Sequence, residues 1–410
     1  MRTITILLSF LIFNSLVFSQ EFSPKKIKKH VSYLASDKLK GRGTSSKEEI
    51  LVAEYISSQF KKLDLKPMGS SGYYFDFTFR KNPNPHDTST QNIQERKGRN
   101  VLAFLDNSAE NTIVIGAHHD HLGLGNDFNS LDANPSGKIH NGADDNASGV
   151  SGVLALAEYL STNKTKEKYN FLFMTFSGEE LGLIGSKKWC DNPTYPLSKI
   201  NCMINLDMIG RLNDSTKKLM VYGIGTSPAF DKMIDATFSG QFSVKKDSAG
   251  IGPSDQTSFY LKDIPVLHFF TGQHSDYHKP EDDAEKINYN GMTQILSGIV
   301  RLLNSVDEQP KLVFLKTRTI ENKSAKWKVT MGVMPDYTFE GKGMRIDGVT
   351  DGKPASKAGL KKGDILIEMG GDSVENVETY MKALSKFNKG DSTEVKIKRE
   401  SEMLNFKINF

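Results

Sequence analysis

Residues 171–186, FLFMTFSGEELGLIGS, join an apolar run to two adjacent carboxylates, Glu179 and Glu180, set between glycines. The run from Phe171 to Phe176 predicts a strand buried on both faces, the pattern of a parallel sheet covered by helices on each side. Two like charges at the mouth of such a strand repel one another and resist desolvation. The stretch therefore implies an α/β domain with a positive charge near Glu179 and Glu180.

Outward from this strand the pattern repeats. NVLAFL (100–105), TIVIGA (112–117), INCMINLDMIG (200–210), LMVYG (219–223) and IPVLHFF (264–270) predict strands. SGVSGVLALAEYLS (148–161), LIGSKKWC (183–190) and GMTQILSGIVRLLNSV (291–306) predict helices. Alternation of this kind gives a mainly parallel mixed sheet sandwiched by helices, with chemistry at the carboxyl ends of the strands. Towards the N-terminus an amphipathic segment opens at Ser23-Pro24. Ser46 and Glu49 then form a capping box before a helix carrying Val52, Tyr55, Ile56, Phe60 and Leu63 at helical spacing. Residues 80–99 read as a polar loop. The catalytic unit is expected over residues 20–308.

After NSVDEQPKL the character changes. Short β-like runs, GMRIDGV, DILIEMGG and STEVKIKRE, surround one helical stretch, VETYMKALSKF, and predict a small β-rich domain over residues 312–410.

The 410 residues are 38% hydrophobic and 25% charged, with a formal charge of +4, the make-up of a globular protein. The lysines are scattered, which excludes a nucleic-acid footprint. Arg2, the apolar stretch Ile4–Phe18 and VFSQ describe a secretory signal over residues 1–19, cut after Ser19. The run is shorter than the ~20 residues of a spanning helix, so no membrane span is expected after signal removal, and no cysteine marks a lipoprotein. The mature protein is expected to be exported, periplasmic or secreted. Cys190 and Cys202 are compatible with one disulfide or with two buried thiols.

Five sites of metal-ligand residue types follow apolar runs or open a helix: His118, His119, Asp120 and His121 in GAHHDHLG, Asp144 and Asp145 in NGADDNASG, Glu179 with Glu180, Asp207 in NLDMIGR, and His278 in SDYHKPEDD. Singly, each has an ordinary explanation as a cap, a core histidine or a solvated acid. Together they place acids at every strand mouth with no cluster of Arg or Lys nearby, and divalent cations are the simplest compensation.

These stretches, AHHDHLG, GADDNASGV, SGEELGLIGS, NLDMIGR and DYHKPEDD, resemble in order those of the co-catalytic dizinc exopeptidases. That family includes secreted bacterial aminopeptidases and, as relatives, glutaminyl cyclases, glutamate carboxypeptidase and the transferrin receptor. The resemblance implies two Zn2+ ions held by His118, Asp145, Glu180, Asp207 and His278, with Asp145 shared between them. It implies Glu179 as the general base and Asp120 as the outer carboxylate that fixes the tautomer of His118. Tyr277 is either an oxyanion donor or a structural tyrosine. His119 and His121 read as surface or outer-layer residues, with His121 alternatively lining the pocket, Asp144 as a support for the following turn, and His268 as a core histidine. Asp255 in GPSDQTSF is a further candidate at the pocket. His and carboxylate donors favour zinc, and cobalt or manganese also suit them.

The implied activity is a metallo-aminopeptidase acting on peptides. The alternatives are a glutaminyl cyclase on the same scaffold, a carboxypeptidase gripping its substrate through Arg211, or a non-catalytic binding protein. The C-terminal segment, with PASKAGLKKGDIL as its most diagnostic part, resembles a PDZ domain of the bacterial protease-associated kind. There Gly343, Met344, Arg345 and Ile346 stand where the carboxylate-binding loop is expected, although Arg345 replaces the usual second glycine. A peptide C-terminus or a protein partner is implied at that loop.

Overall fold

The computed structural model describes residues 22–81, 93–317, 329–336, 339, 341–350 and 352–410. The expected signal, residues 1–19, lies outside them. In chain order the first unit comprises α1 (Pro24–Leu34), α2 (Lys47–Lys62), β1 (Lys66–Pro67), β2 (Tyr74–Lys81), β3 (Gln94–Leu105) and β4 (Thr112–His118). It continues with α3 (Gly149–Thr162), β5 (Asn170–Phe176), α4 (Ile184–Asp191), β6 (Ile200–Leu206) and β7 (Lys218–Tyr222). Then come α5 (Phe230–Phe238), β8 (Ser243–Asp247), α6 (Gln256–Tyr260), β9 (Val266–Phe270) and α7 (Tyr289–Asp307).

The strands form one sheet in the order β1-β3-β5-β4-β6-β9-β7-β8, with β2 paired to β3. Its centre is parallel, β5 beside β4, β4 beside β6 and β6 beside β9, while β3 and β7 run antiparallel to their neighbours β5 and β9. Both faces are buried, as the apolar runs require. Phe171 and Phe173 of β5 face the core shared with α1, α2, α3, α5 and α7. Leu172, Met174 and Phe176 face the opposite core, which holds Trp189 of α4 and Phe259 of α6. Burying each such side chain is worth about 1.5–3 kcal/mol.

Several expectations change in detail. Polar residues from Gln94 onward belong to β3, because pairing with β2 over eight positions extends the strand beyond its apolar part. Ser46 caps α2 by accepting from Glu49 N at 3.0 Å, but the Glu49 carboxylate returns to Ser45 N at 2.6 Å rather than to Ser46. Cys190 and Cys202 are buried free thiols. The chain also stays on the first domain past residue 308. Leu312 N donates to Asn201 Oδ1 at 2.7 Å, Leu315 N donates to Thr226 O at 2.8 Å, and Thr317 meets the Tyr260 hydroxyl at 3.0 Å.

The second unit contains β10 (Val333–Pro335), β11 (Met344–Val349), α8 (Pro354–Ala358), β12 (Ile365–Met369), β13 (Asp372–Ser373), α9 (Val377–Leu384), β14 (Ser392–Arg399) and β15 (Glu402–Asn409). Its strand order is β10-β11-β12-β14-β15, around a separate apolar core that includes Met344, Ile346, Leu366 and Ile397. No helix among the described residues is long and apolar enough to cross a membrane.

Candidate metal centre

The parallel register brings the acids together. His118 ends β4 opposite Phe176, which ends β5. Glu179 and Glu180 follow Phe176 within one turn, and Asp207 follows β6 directly. Asp145 comes from the turn ahead of α3, and His278 from the loop beyond β9. His118 Nε2 lies 3.2 Å from Asp145 Oδ1, 3.3 Å from Asp207 Oδ1 and 3.8 Å from Glu179 Oε2. The other oxygen of Asp145 lies 3.2 Å from His278 Nε2, which is also 3.2 Å from Glu180 Oε2. Asp145 thus stands between two half-sites.

His118, Asp145 and Asp207 offer donor atoms within 4.8 Å of one another, and so do His121, Asp145 and Glu180. Asp207 Oδ1 is buried with no hydrogen-bond partner in the protein, and His121 faces the cluster through Nδ1, 2.7 Å from Glu180 Oε1. Imidazole with carboxylates, converging with an unsatisfied oxygen, fits zinc in chemistry. An all-oxygen set would suit calcium better.

The electrostatics agree. Burial disfavours a charged His118, yet the carboxylates of Glu179 and Asp207 hold its proton well above the usual imidazole range. Burial likewise opposes ionised Asp145, but His118, His121 and His278 keep its carboxyl well below the usual range. Glu179 goes the other way. Burial raises it well above an ordinary glutamate, and although His118 opposes this, Glu180 and Asp207 add to the rise. Burial opposes an ionised Glu180 too, but His278 and His121 hold it down to about 2, so the two neighbouring glutamates are driven apart, the pattern of distinct acid–base assignments.

The outer contacts correct part of the sequence reading. His118 Nδ1 meets the Asp120 backbone carbonyl at 3.2 Å, and the Asp120 carboxylate is 3.7 Å away. That carboxylate instead accepts from Thr44 Oγ1 at 2.7 Å and from Glu179 N at 3.1 Å, so it anchors the glutamate turn. His119 and His121 are buried rather than superficial. His121 Nδ1 is 2.7 Å from Glu180 Oε1, and His119 Nδ1 is 3.0 Å from Thr175 Oγ1. Tandem histidines after a strand gave no clue that both turn inward. Asp144 supports the turn as expected, accepting from Gly210 N at 2.7 Å. His268 is a core residue stacked on Tyr222. Tyr277 stacks on His278 with ring centroids 3.9 Å apart, which fits a positioning role as well as an oxyanion one.

Asp255 is fully buried, and burial pushes its pKa up to about 7 against the opposing effects of His118 and Ser186. Arg211 does not stand ready for a substrate carboxylate, because its Nη2 binds Asp276 Oδ2 at 2.9 Å. The sequence missed Asn129, whose carbonyl receives His278 Nδ1 at 2.8 Å, and Ser130, whose hydroxyl donates to His278 O at 3.1 Å. It also missed Arg42 and Asp282. These act through backbone atoms of ordinary loops, which leave no residue-type signature.

In the C-terminal domain Gly343, Met344, Arg345 and Ile346 do not form an open carboxylate-binding loop. From Met344 the chain is an inner strand, with Ile346 paired to Pro335 on one side and Met344 and Arg345 paired to Leu366 and Ile365 on the other. Gly343 N donates to Glu375 O at 2.9 Å and Ile346 N to Asp364 O at 2.7 Å. Arg345 is engaged with Asp336 and lies over the Phe339 ring. A glycine before an apolar pair looks alike whether the strand that follows is an edge or an inner one. Among the described residues β10 is one edge of this sheet and β15 the other; β10 is preceded by Gly332 at φ +73° and ends in a proline, a residue suited to edges.

The α/β sheet with its buried cluster of His and carboxylate donors has counterparts among known proteins. Residues 100–303 match peptidase family M28 and residues 319–410 match the PDZ domain. The chain carries a peptidase family M28 domain followed by a PDZ domain. It is 24% identical over 265 residues to leucine aminopeptidase 2 of Arthroderma otae, covering 59% of this chain and 50% of that protein. The chain spans half or less of the length of such curated relatives. Among solved structures, a zinc aminopeptidase from Bacillus subtilis shares the fold at TM-score 0.55 and 16% identity, over 71% of this chain and 98% of that one. A Porphyromonas gingivalis glutaminyl cyclase shares it at TM-score 0.56 and 17% identity, over 70% and 99%.

Proposed function

We propose that this protein is an exported metallo-aminopeptidase that removes N-terminal residues from peptides with two zinc ions. The observation that carries the reading is Asp145, whose two oxygens face two buried donor groups, with Glu179 beside them. His118, Asp145 and Asp207 would hold one cation, and Asp145, Glu180 and His278 the other, with His121 fixing Glu180. Bound there, the cations lower the pKa of a water and polarise the scissile carbonyl.

The chain's own chemistry centres on Glu179. Its carboxylate takes a proton from the attacking water as the oxygen adds to the carbonyl carbon. The C–N bond then breaks, and Glu179 returns that proton to the amine nitrogen. Asp120 holds the Glu179 main chain in place through the 3.1 Å bond. Export follows from the signal-like residues 1–19. In the PDZ domain, peptide addition fits the β10 edge better than the inner strand β11.

The test is a pair of substrates assayed with and without chelator: an aminoacyl anilide, with leucyl first, and an N-terminal glutaminyl peptide. Chelator-sensitive anilide cleavage supports the proposal. Ammonia release with cyclisation, and no anilide cleavage, assigns the scaffold to the cyclase reaction instead.

A further inference from the structure

The loop that carries Asp145 is buried and irregular, with Gly142 at φ 55° and Asn146 at φ −131°, ψ 44°. Its helical bonding is limited, with Ala147 N donating to Gly142 O at 3.2 Å, so the partners of its remaining N–H and C=O groups are a question with a definite answer. Asp282 takes three consecutive N–H groups. Its carbonyl accepts from Ala143 N at 2.9 Å, and its Oδ2 accepts from Asp144 N at 2.9 Å and Asp145 N at 3.0 Å. Three of the carbonyls go to one guanidinium, while Asp144 O accepts from Ser148 Oγ at 2.7 Å. Arg42 Nη1 donates to Asn141 O, and Nη2 donates to Gly142 O at 2.7 Å and Asp145 O at 3.1 Å.

Arg42 is 0% exposed, and its hydrogen bonds all end on main-chain carbonyls. A buried charge without a carboxylate contact is costly. Burial lowers its pKa to about 10 while Asp145 and Asp120 oppose the fall, so it stays charged at neutral pH. The segment that delivers it is strained as well. Lys40, Gly41 and Arg42 are all left-handed, at φ 42°, 67° and 41°. A Cβ on Gly41 would collide with the carbonyl oxygens of His140 and Gly123. The same segment grips the other ligand loop, since Arg42 O accepts from His121 N at 3.2 Å and Gly41 O from Gly123 N at 3.0 Å. Arg42 lies outside the residues that match the peptidase family.

We infer that Arg42, opposed by Asp282, is a positioning residue that clamps the Asp145 loop so that both oxygens of this shared carboxylate face the cations. The inference rests on the two-zinc reading above. Two effects of removing Arg42 oppose each other. Loss of a nearby positive charge by itself strengthens cation binding to an acid cluster. Loss of an outer-layer support weakens it, typically about 10–100-fold. The clamp requires that the second effect win.

The experiment titrates chelator-treated full-length wild type, R42M and R42K with Zn2+ by calorimetry, after circular dichroism has established that each is folded. Expected is zinc binding about 10–100-fold weaker in R42M. R42K should fall between, because an ammonium is a point charge and cannot reproduce the planar fork. Turnover of R42M should recover as zinc is raised, with KM unchanged. Folded R42M that binds zinc as wild type does, or more tightly, overturns the inference. Where R42M does not fold, R42K decides alone, with undiminished affinity as the overturning result. Failure of both variants to fold also counts against it, by making Arg42 a residue of the fold. Wild type that takes up no zinc overturns the peptidase reading and this inference with it.

Discussion

The cleft and the helical layer that packs against one face of the sheet bury ionisable groups by opposite means. In the cleft His118, His278, Asp145, Glu179 and Glu180 shift one another strongly, some up and some down. There the two histidines rise while Asp145 and Glu180 fall, and Glu179 rises. In the helical layer His30 of α1 is largely buried and hydrogen-bonded to the Tyr55 hydroxyl of α2 at 2.8 Å. It is accommodated by staying neutral, its pKa lowered to about 4 by burial. The difference teaches that the layer is complete within the chain, whereas the cleft is arranged for charge supplied from outside.

The largest test of that contrast separates proton transfer from cation holding. Glu179→Gln is expected to lower kcat by about 10³-fold, within the 10²–10⁴ range of general acid–base catalysis, while zinc content stays at the wild-type level. Glu180→Gln should instead lose zinc, because its oxygens face His121 and His278. Metal analysis beside turnover reads both, and zinc loss in Glu179→Gln would exchange the two roles.

Chelation comes next. At zinc a thousandfold above its Kd, binding adds about 4 kcal/mol to stability. For a domain of this size that corresponds to a Tm roughly 10 °C lower after chelation. A calorimetric scan that finds no difference would mean that the cleft is balanced without cations. A smaller effect is expected from Ser130→Ala, which removes the 3.1 Å bond to His278 O and the 2.7 Å contact with His140 Nε2. Zinc affinity should fall by about tenfold, the low end for an outer-layer partner.

What could be read beforehand follows from the same contrast. Strands β4, β5, β6 and β9 were legible because burial on both faces demands continuous apolar runs, and the ligands at their ends are distinctive residue types. Strand β8 was not, since SVKKD has no apolar run and owes its structure to pairing, whereas β2 carried a strand signal that the reading passed over, Phe75, Phe77 and Phe79 in alternation. Asp120 was legible as a participant but not in its partner, because a carboxylate two residues beyond a ligand can turn towards the ligand or towards the next strand. The Gly343–Ile346 loop was misplaced because edge and inner strands differ only in what lies beside them. Arg42 was invisible, as a lone arginine between glycines reads as an exposed turn.

The smallest effect belongs to the helical layer and needs no metal. His30 binds its proton with a pKa of about 4 in the folded chain, burial being the main cause, with Glu158 opposing and Lys29, Lys62 and Lys26 adding to it. An unfolded histidine titrates near 6.5. Between those values the unfolded chain binds the extra proton, so stability falls as pH drops from about 6.5 towards 4 and is intact above that window. The full shift would imply more, but the ring is partly exposed, so the loss between pH 7 and pH 5 is set at about 1 kcal/mol. His30→Gln removes the titration. Urea unfolding of chelated wild type and variant at the two pH values gives a difference of differences in which the acids of the cleft cancel. A pH dependence equal in the two proteins would show that α1 is not held by a neutral His30, and the contrast between the two regions would lose its second term.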